Sequence, residues 1–307
     1  MSALATALDE YLALRRSVGY RLERAGELLV DFVAHLDDAG AEHVTVDLAV
    51  SWAMLAPNPD SCWRAQRLGV VRCFARYLHA VDQRHQVPPP RLLHPGQRRP
   101  APFLFSEADV VALMEAARGL RSPLQAVTIE TLIGILAVSG IRVGEVVRLD
   151  RDDLDVDRDM LVVRNSKLGK SRHVPLHAAT SEALQSYLLG RDELFAQPRS
   201  PALFISTTGT RLRTGNLGTV FGELVVRAGL PARVGRQGPR LADLRHSFAV
   251  HTLLDWHLAD LDVHPRMPVL STYLGHASPA STYWYLSASP PLLSAAARRL
   301  HARQVAR

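Results

Sequence analysis

Cysteine is almost missing from this 307-residue sequence, where Cys62 and Cys73 are the only two. Two isolated thiols cannot build a disulfide framework or a Cys-based zinc site, so a reducing cytoplasm is expected. Long apolar runs are lacking as well. The longest, TLIGILAVSGI, falls far short of the roughly 20 residues that span a bilayer. The N-terminus carries acids at Asp9 and Glu10 where a basic-then-apolar leader would stand. The expectation is a cytoplasmic protein, neither exported nor embedded in a membrane. Internal repeats, low-complexity tracts, a P-loop and a convincing metal-ligand cluster are also absent from the sequence, so nothing in it points to a repeat array or a resident metal.

What is present is enough apolar residue for two domains of usual size, each with its own core. Lys and Arg outnumber Asp and Glu by 36 to 30, and the sequence pI is about 9.7. The excess is local. Arg84, Arg91, Arg98 and Arg99 share one acid-free segment, and Arg164, Lys167, Lys170 and Arg172 share another. Arg227, Arg233, Arg236 and Arg240 fall in a third stretch with no acid after Glu223. Three separated basic segments suit an extended anionic ligand, for which nucleic acid is the leading candidate; solvated loops are the alternative.

Along the chain, residues 1–82 read as four helices with no strand signal: ALATALDEYLALRR, RLERAGELLVDFVAHLDDAG, VDLAVSWAML and CWRAQRLGVVRCFARYLHAVD. Residues 83–104 mix prolines with arginines and read as an extended basic linker. A second domain, 105–307, opens at SEADVVALMEAAR, where Ser106 and Asp109 have the spacing of a capping box. LQAVTIETLIGILAVSG is apolar nearly all round, as a buried central helix ending at Gly140 would be. Two strands are expected at 160–164 and 172–176, then helices at 178–189, 214–229, 241–257, 267–274, 279–286 and 291–303. The fold class is mainly α with a small β-sheet.

Four short stretches carry residues suited to chemistry. In SGIRVGEVVRL, Arg142 follows the end of the buried helix, and Glu145 lies one turn on, positioned to orient it or simply to form a surface ion pair. SKLGKSR puts Lys167 and Lys170 in the hairpin loop, where a lysine is either solvated or able to deliver a proton. DLRHSFA places Arg245 and His246 in the first turn of a helix, which favours anions. LGHASPASTYWYLS has His276 just past Gly275 and, further on, Tyr283 and Tyr285. On a helix those two tyrosines lie about 200° apart, so one can pack while the other reacts.

Taken together, SGIRVGE, SKLGKSRHVPL, DLRHSFA and LGHAS…STYWY resemble the tyrosine recombinase, or phage-type integrase, family in order and approximate spacing, over essentially the whole chain. The resemblance implies a helical, SAM-like core-binding domain at 1–82 and a DNA breaking-rejoining catalytic domain. It implies cleavage of a DNA phosphodiester without metal, ATP or cofactor, through a tyrosine joined to the 3′ phosphate. Arg142 and Arg245 match the phosphate-clasping arginines, and Lys167 matches the hairpin lysine that protonates the leaving oxygen, with Lys170 as the alternative. His276 matches the phosphate-bonding position. Tyr285, nine residues after His276, matches the nucleophile, which leaves Tyr283 for packing. Arg98, Arg99, Lys170 and Arg172 become candidate DNA contacts. The implied partners are double-stranded DNA, three further copies in a tetramer on two DNA sites, and possible sister recombinases, with the 291–303 helix able to dock on a neighbour. One position departs from the family: Ala242 stands where a histidine usually precedes Arg245 by three residues. A topoisomerase-like relaxing enzyme, or a DNA-binding partner of another recombinase, are the alternative readings.

Overall fold

The computed structural model describes residues 2–55, 61–94, 102–164, 171–232, 234, 238–276, 278, 282–283, 292 and 294. The chain divides into two compact units, Met1–Arg99 and Pro100–Arg307.

The first unit holds α1 (Ala3–Ser17), α2 (Glu23–Asp38), α3 (Val46–Met54) and α4 (Ser61–Val81), the four helices read from the sequence. Short polar side chains start two of them. The Ser2 hydroxyl accepts from the Ala5 N–H at α1, and Thr45 accepts from Leu48 at α3. Gly40, at a φ of 62°, takes the left-handed turn that follows α2. The apolar faces meet in a core that includes Leu29, Phe32, Leu36, Trp52, Leu68 and Phe74. Arg67 lies 3.7 Å over the Trp52 ring and donates to the Trp52 carbonyl, so its stem fills core space while its charge meets the π face.

The proline-rich stretch expected to be a linker from residue 83 begins instead as part of this unit. His85 is buried, and its Nδ1 accepts from the Val44 N–H at 3.1 Å. Gln86 pairs with the backbone of Val44 and Val46. Arg72 of α4 donates to the carbonyls of Pro88 and Pro89. Prolines cannot donate, but the carbonyls of an extended segment are open to a guanidinium, and that ties the stretch down. Arg98 and Arg99 lie outside the described residues.

The second unit starts with Phe103 and Phe105, whose rings meet edge-on at 4.9 Å; the Phe105 N–H donates to Ser247. α5 (Glu107–Arg118) carries the capping box, with Ser106 and Asp109 each bonding the other's backbone N–H. α6 (Pro123–Ser139) is the central helix, begun by Ser122 and Pro123 and buried on most sides. α7 is one turn (Val143–Val146). An antiparallel sheet follows in the order β1 (Leu154–Asp155), β2 (Met160–Val163), β3 (Arg172–Pro175). Leu161 pairs with Val174 and Val163 with Arg172. The strands expected at 160–164 and 172–176 are there; β1 was not anticipated, since two residues carry no alternation to read.

The chain continues through α8 (Ala178–Leu194), α9 (Thr214–Arg227), α10 (Asp243–Leu258) and α11 (Met267–Tyr273). α6 packs against α5, α8 and α10. A satellite core of Ala249, Leu253, Met267, Leu270 and Leu274 joins α10 to α11 and includes Leu292 from the C-terminal region. Of the helices expected at 279–286 and 291–303, residues 282–283, 292 and 294 are helical and the rest lies outside the described residues. Among the described residues, no helix is long and apolar enough to cross a membrane.

Candidate active site

The site grows from the end of α6. Gly140 adopts φ +59° there, and a Cβ on it would stand 2.4 Å from the Phe248 ring, so both the turn and the close approach require glycine. The reversal puts Arg142 at the head of α7. Its backbone N–H donates to Glu145 Oε2 at 3.1 Å and its Nη1 to Oε1 at 2.7 Å, so the i, i+3 pair read from the sequence forms. It is no surface pair. The Glu145 side chain is 2% exposed, and the Arg142 side chain 31%.

A second guanidinium completes the carboxylate's shell. Arg172, at the start of β3, donates Nη1 to Glu145 Oε1 at 3.2 Å and Nη2 to Oε2 at 2.8 Å. Burial alone would raise the Glu145 carboxyl, but bonding and charge from Arg172, then Arg142, outweigh it and bring the group down to about 2. Arg172 was expected as a DNA contact. Its side chain is 11% exposed, and all three guanidinium nitrogens are engaged inside the protein, two of them on Glu145.

The C-terminus of α11 gathers three arginines. Arg172 Nε donates to the Tyr273 carbonyl at 2.8 Å, Arg245 Nη2 to that of Leu274 at 2.6 Å and Arg142 Nη2 to that of Gly275 at 2.7 Å. The last carbonyls of a helix have no partners within it and carry partial negative charge, and here each of three in succession is met by a cation. Gly275 turns the chain at φ +65°, where a Cβ would stand 2.7 Å from Arg172 Nη1.

Arg245 lies in the first turn of α10 and is 8% exposed. Its Nη1 donates to the Gly140 carbonyl at 2.7 Å, and its Nη2 also meets His276 Nε2 at 2.9 Å. The first turn of α10 is fixed from below by Asp243, fully buried and held by Arg240 Nε at 3.0 Å and Nη2 at 2.7 Å. Burial, then the charges of Arg245, Arg142, Arg172 and His246, push the His276 imidazole down to about 4, so the ring is neutral at physiological pH. Its Nδ1 lies 2.7 Å from the hydroxyl of Thr282.

Three of the five expected catalytic residues, Arg142, Arg245 and His276, therefore share one corner around Gly275. Lys167, Lys170 and Tyr285 lie outside the described residues. Tyr283, expected to pack, is 41% exposed. Ala242 is exposed at the head of α10. Thr282 escaped the sequence reading, because a threonine in a Ser- and Ala-rich stretch carries no signal of its own.

Residues 104–290 match the Phage integrase family. The chain belongs to this family of tyrosine recombinases. It is 42% identical to y4rB of Sinorhizobium fredii, named as an integrase/recombinase, over 99% of this chain and 98% of that one. With the tyrosine recombinase XerC of Mycobacterium tuberculosis it shares 30% identity over 99% of this chain and all of the relative. Among solved structures, the integrase of the Tn1549 transposon, in complex with transposon right-end DNA, aligns over 98% of this chain and 100% of that one, with a TM-score of 0.67 and 18% identity. A lambda integrase dimer bound to a core site aligns over 90% and 96%, with a TM-score of 0.61 and 18% identity. The integrase fold thus spans both units, and the arginine corner lies within the matched segment.

Proposed function

We propose that this chain is a site-specific recombinase that cuts and reseals double-stranded DNA through a 3′-phosphotyrosine at Tyr285. The observation that carries the reading is the meeting of Arg142, Arg245 and His276 around the α11 terminus, two guanidiniums and an imidazole within one partly buried corner. A phosphodiester passing to its transition state gathers charge on its non-bridging oxygens, and fixed guanidiniums meet that charge without reorganising. Glu145 and Arg172 hold Arg142 in place, and the Gly140 and Leu274 carbonyls hold Arg245.

The chemistry proceeds by exchange at phosphorus. The Tyr285 hydroxyl gives its proton to water or a DNA oxygen as its oxygen bonds to the 3′ phosphate, the bond to the 5′ oxygen breaks, and that oxygen leaves as a hydroxyl after taking a proton from Lys167. The hydroxyl of a second strand reverses the step, and the phosphotyrosine bond conserves the energy. An ordinary phenol is only about a thousandth ionised at pH 7, a deficit near 4 kcal/mol that surrounding cations must offset. The first unit and the basic segment with Arg98 and Arg99 hold the duplex, and four copies act on two DNA sites, in integration, excision or transposition. Support for a DNA substrate comes from the charge pattern and from structural relatives described in complex with DNA.

Ala242 favours a second reading, a weakened enzyme or a DNA-binding partner of another recombinase. General acid-base assistance is worth roughly 10² to 10⁴ in rate, so an alanine at that position slows proton transfer without removing the phosphate clasp. A nicked suicide substrate separates the two. The expected result is a covalent protein–DNA adduct that Tyr285→Phe abolishes and Ala242→His accelerates. Site binding with no adduct, even in Ala242→His, would establish the binding role instead, and an adduct that survives Tyr285→Phe but vanishes in Tyr283→Phe would move the nucleophile.

A further inference from the structure

His276 has a defined proton arrangement. A guanidinium only donates, so the Nε2 that faces Arg245 Nη2 at 2.9 Å bears the lone pair. The neutral ring then carries its proton on Nδ1, which donates to Thr282 Oγ1 at 2.7 Å. Thr282 is fully buried at 0% exposure, so its hydroxyl sits where its orientation is set by this contact rather than by bulk water. This tautomer is the opposite of the one a phosphate oxygen requires, since a phosphate accepts and Nε2 must then donate.

We infer that Thr282 is a positioning residue that holds the His276 ring in both tautomers, accepting from Nδ1–H in the free protein and donating to Nδ1 once Nε2–H faces a phosphate. A hydroxyl has one donor and two lone pairs, so rotation about one bond reverses its role. One proton leaves Nδ1 and one arrives at Nε2, exchanged with solvent, and the ring's charge does not change. Arg245 Nη2 gives up the ring and gains the phosphate oxygen in the same exchange. Among the described residues, the ionised and titratable groups facing the ring include Arg142 from the head of α7, Arg172 from β3, and Arg245 and His246 from α10. Their positive charge opposes a second proton on the ring, which leaves tautomer exchange as the route to an Nε2 donor.

The second state rests on the recombinase reading; the first is a property of the free chain. Two measurements on the full-length protein keep them apart. Nitrogen-correlated NMR of the imidazoles at pH 7, with His276 assigned through His276→Asn, should find the parent ring protonated on Nδ1. In Thr282→Val, which keeps the shape and removes the hydroxyl, Nδ1–H loses its acceptor and that preference, then held by Arg245 alone, should weaken. Single-turnover adduct formation should slow roughly 10-fold in Thr282→Val, the scale of one missing buried hydrogen bond, and return to the parent rate in Thr282→Ser, with DNA affinity equal in all three. A parent ring protonated on Nε2, or a Thr282→Val rate matching the parent, overturns the inference. A parent chain that makes no adduct overturns the recombinase reading while the NMR result still decides the role of Thr282 in the free protein.

Discussion

Glu145 is the residue on which the proposed phosphate clasp depends, because one buried carboxylate organises two arginines. Its depressed ionisation gives a pH signature. A carboxyl lowered from 4.5 to about 2 on folding stabilises the protein above its unfolded value, and that contribution is lost as pH falls from about 4.5 towards 2, for a total of about 3 kcal/mol. Arg172→Met removes the larger share of the partners while keeping the bulk of the stem. The expected outcome is a stability loss of about 3 kcal/mol at pH 7, the usual scale for leaving a buried charge short of its partner. The acid-dependent part of the stability should shrink with it. Denaturant titrations of parent and variant at pH 7, 4 and 2.5 measure both, and parallel curves across that range would mean that Glu145 is not the group responsible. The Arg142–Glu145 pair was legible from spacing, since i, i+3 neighbours meet on any helical turn. The Arg172 contact was not. It joins residues 27 apart through the packing of β3, and a basic hairpin segment looks the same in sequence whether its arginines face solvent or a carboxylate.

At the level of elements, the site is a matter of how two helices end. α6 stops at Gly140 and α11 at Gly275, both left-handed, and the carbonyls they present are where the arginines dock. Gly140→Ala tests the first. It imposes strain at φ +59° and sets a methyl 2.4 Å from the Phe248 ring, so a loss of about 1–3 kcal/mol in unfolding free energy is expected. Adduct formation should fall as well, since the Gly140 carbonyl anchors Arg245. Thermal unfolding and the suicide-substrate assay read the two effects, and an alanine variant with the parent's midpoint would show that the ring yields freely. The helix ends were visible in the sequence because glycine after an apolar run has few other uses. What the sequence did not disclose was that the tail of one ending and the side chains of three distant elements would be each other's partners. Hydrophobic period reports which face of a helix is buried, and it is silent about which carbonyl a guanidinium will find.

At the level of the whole molecule, each unit has its own core, and the basic segments are spread over both, with Arg84 and Arg91 in the first and Arg164, Arg172, Arg227 and Arg240 in the second. The proposed function asks both units to hold one duplex. Joined modules that bind one ligand exceed the affinity of either alone by roughly 10² to 10⁴, because the second contact forms at high effective concentration. Residues 1–99 and 100–307, produced separately, should each bind a target duplex weakly, and the intact chain more tightly by a factor in that range. The decline of log affinity with log salt should be steeper for the intact chain than for either piece, since each neutralised phosphate adds about 0.9 to the slope. Mobility-shift titrations at two or more salt concentrations supply every quantity needed. An intact chain that binds no better than residues 100–307, with the same salt slope, would confine DNA recognition to the second unit and assign the four-helix unit a task other than holding the duplex.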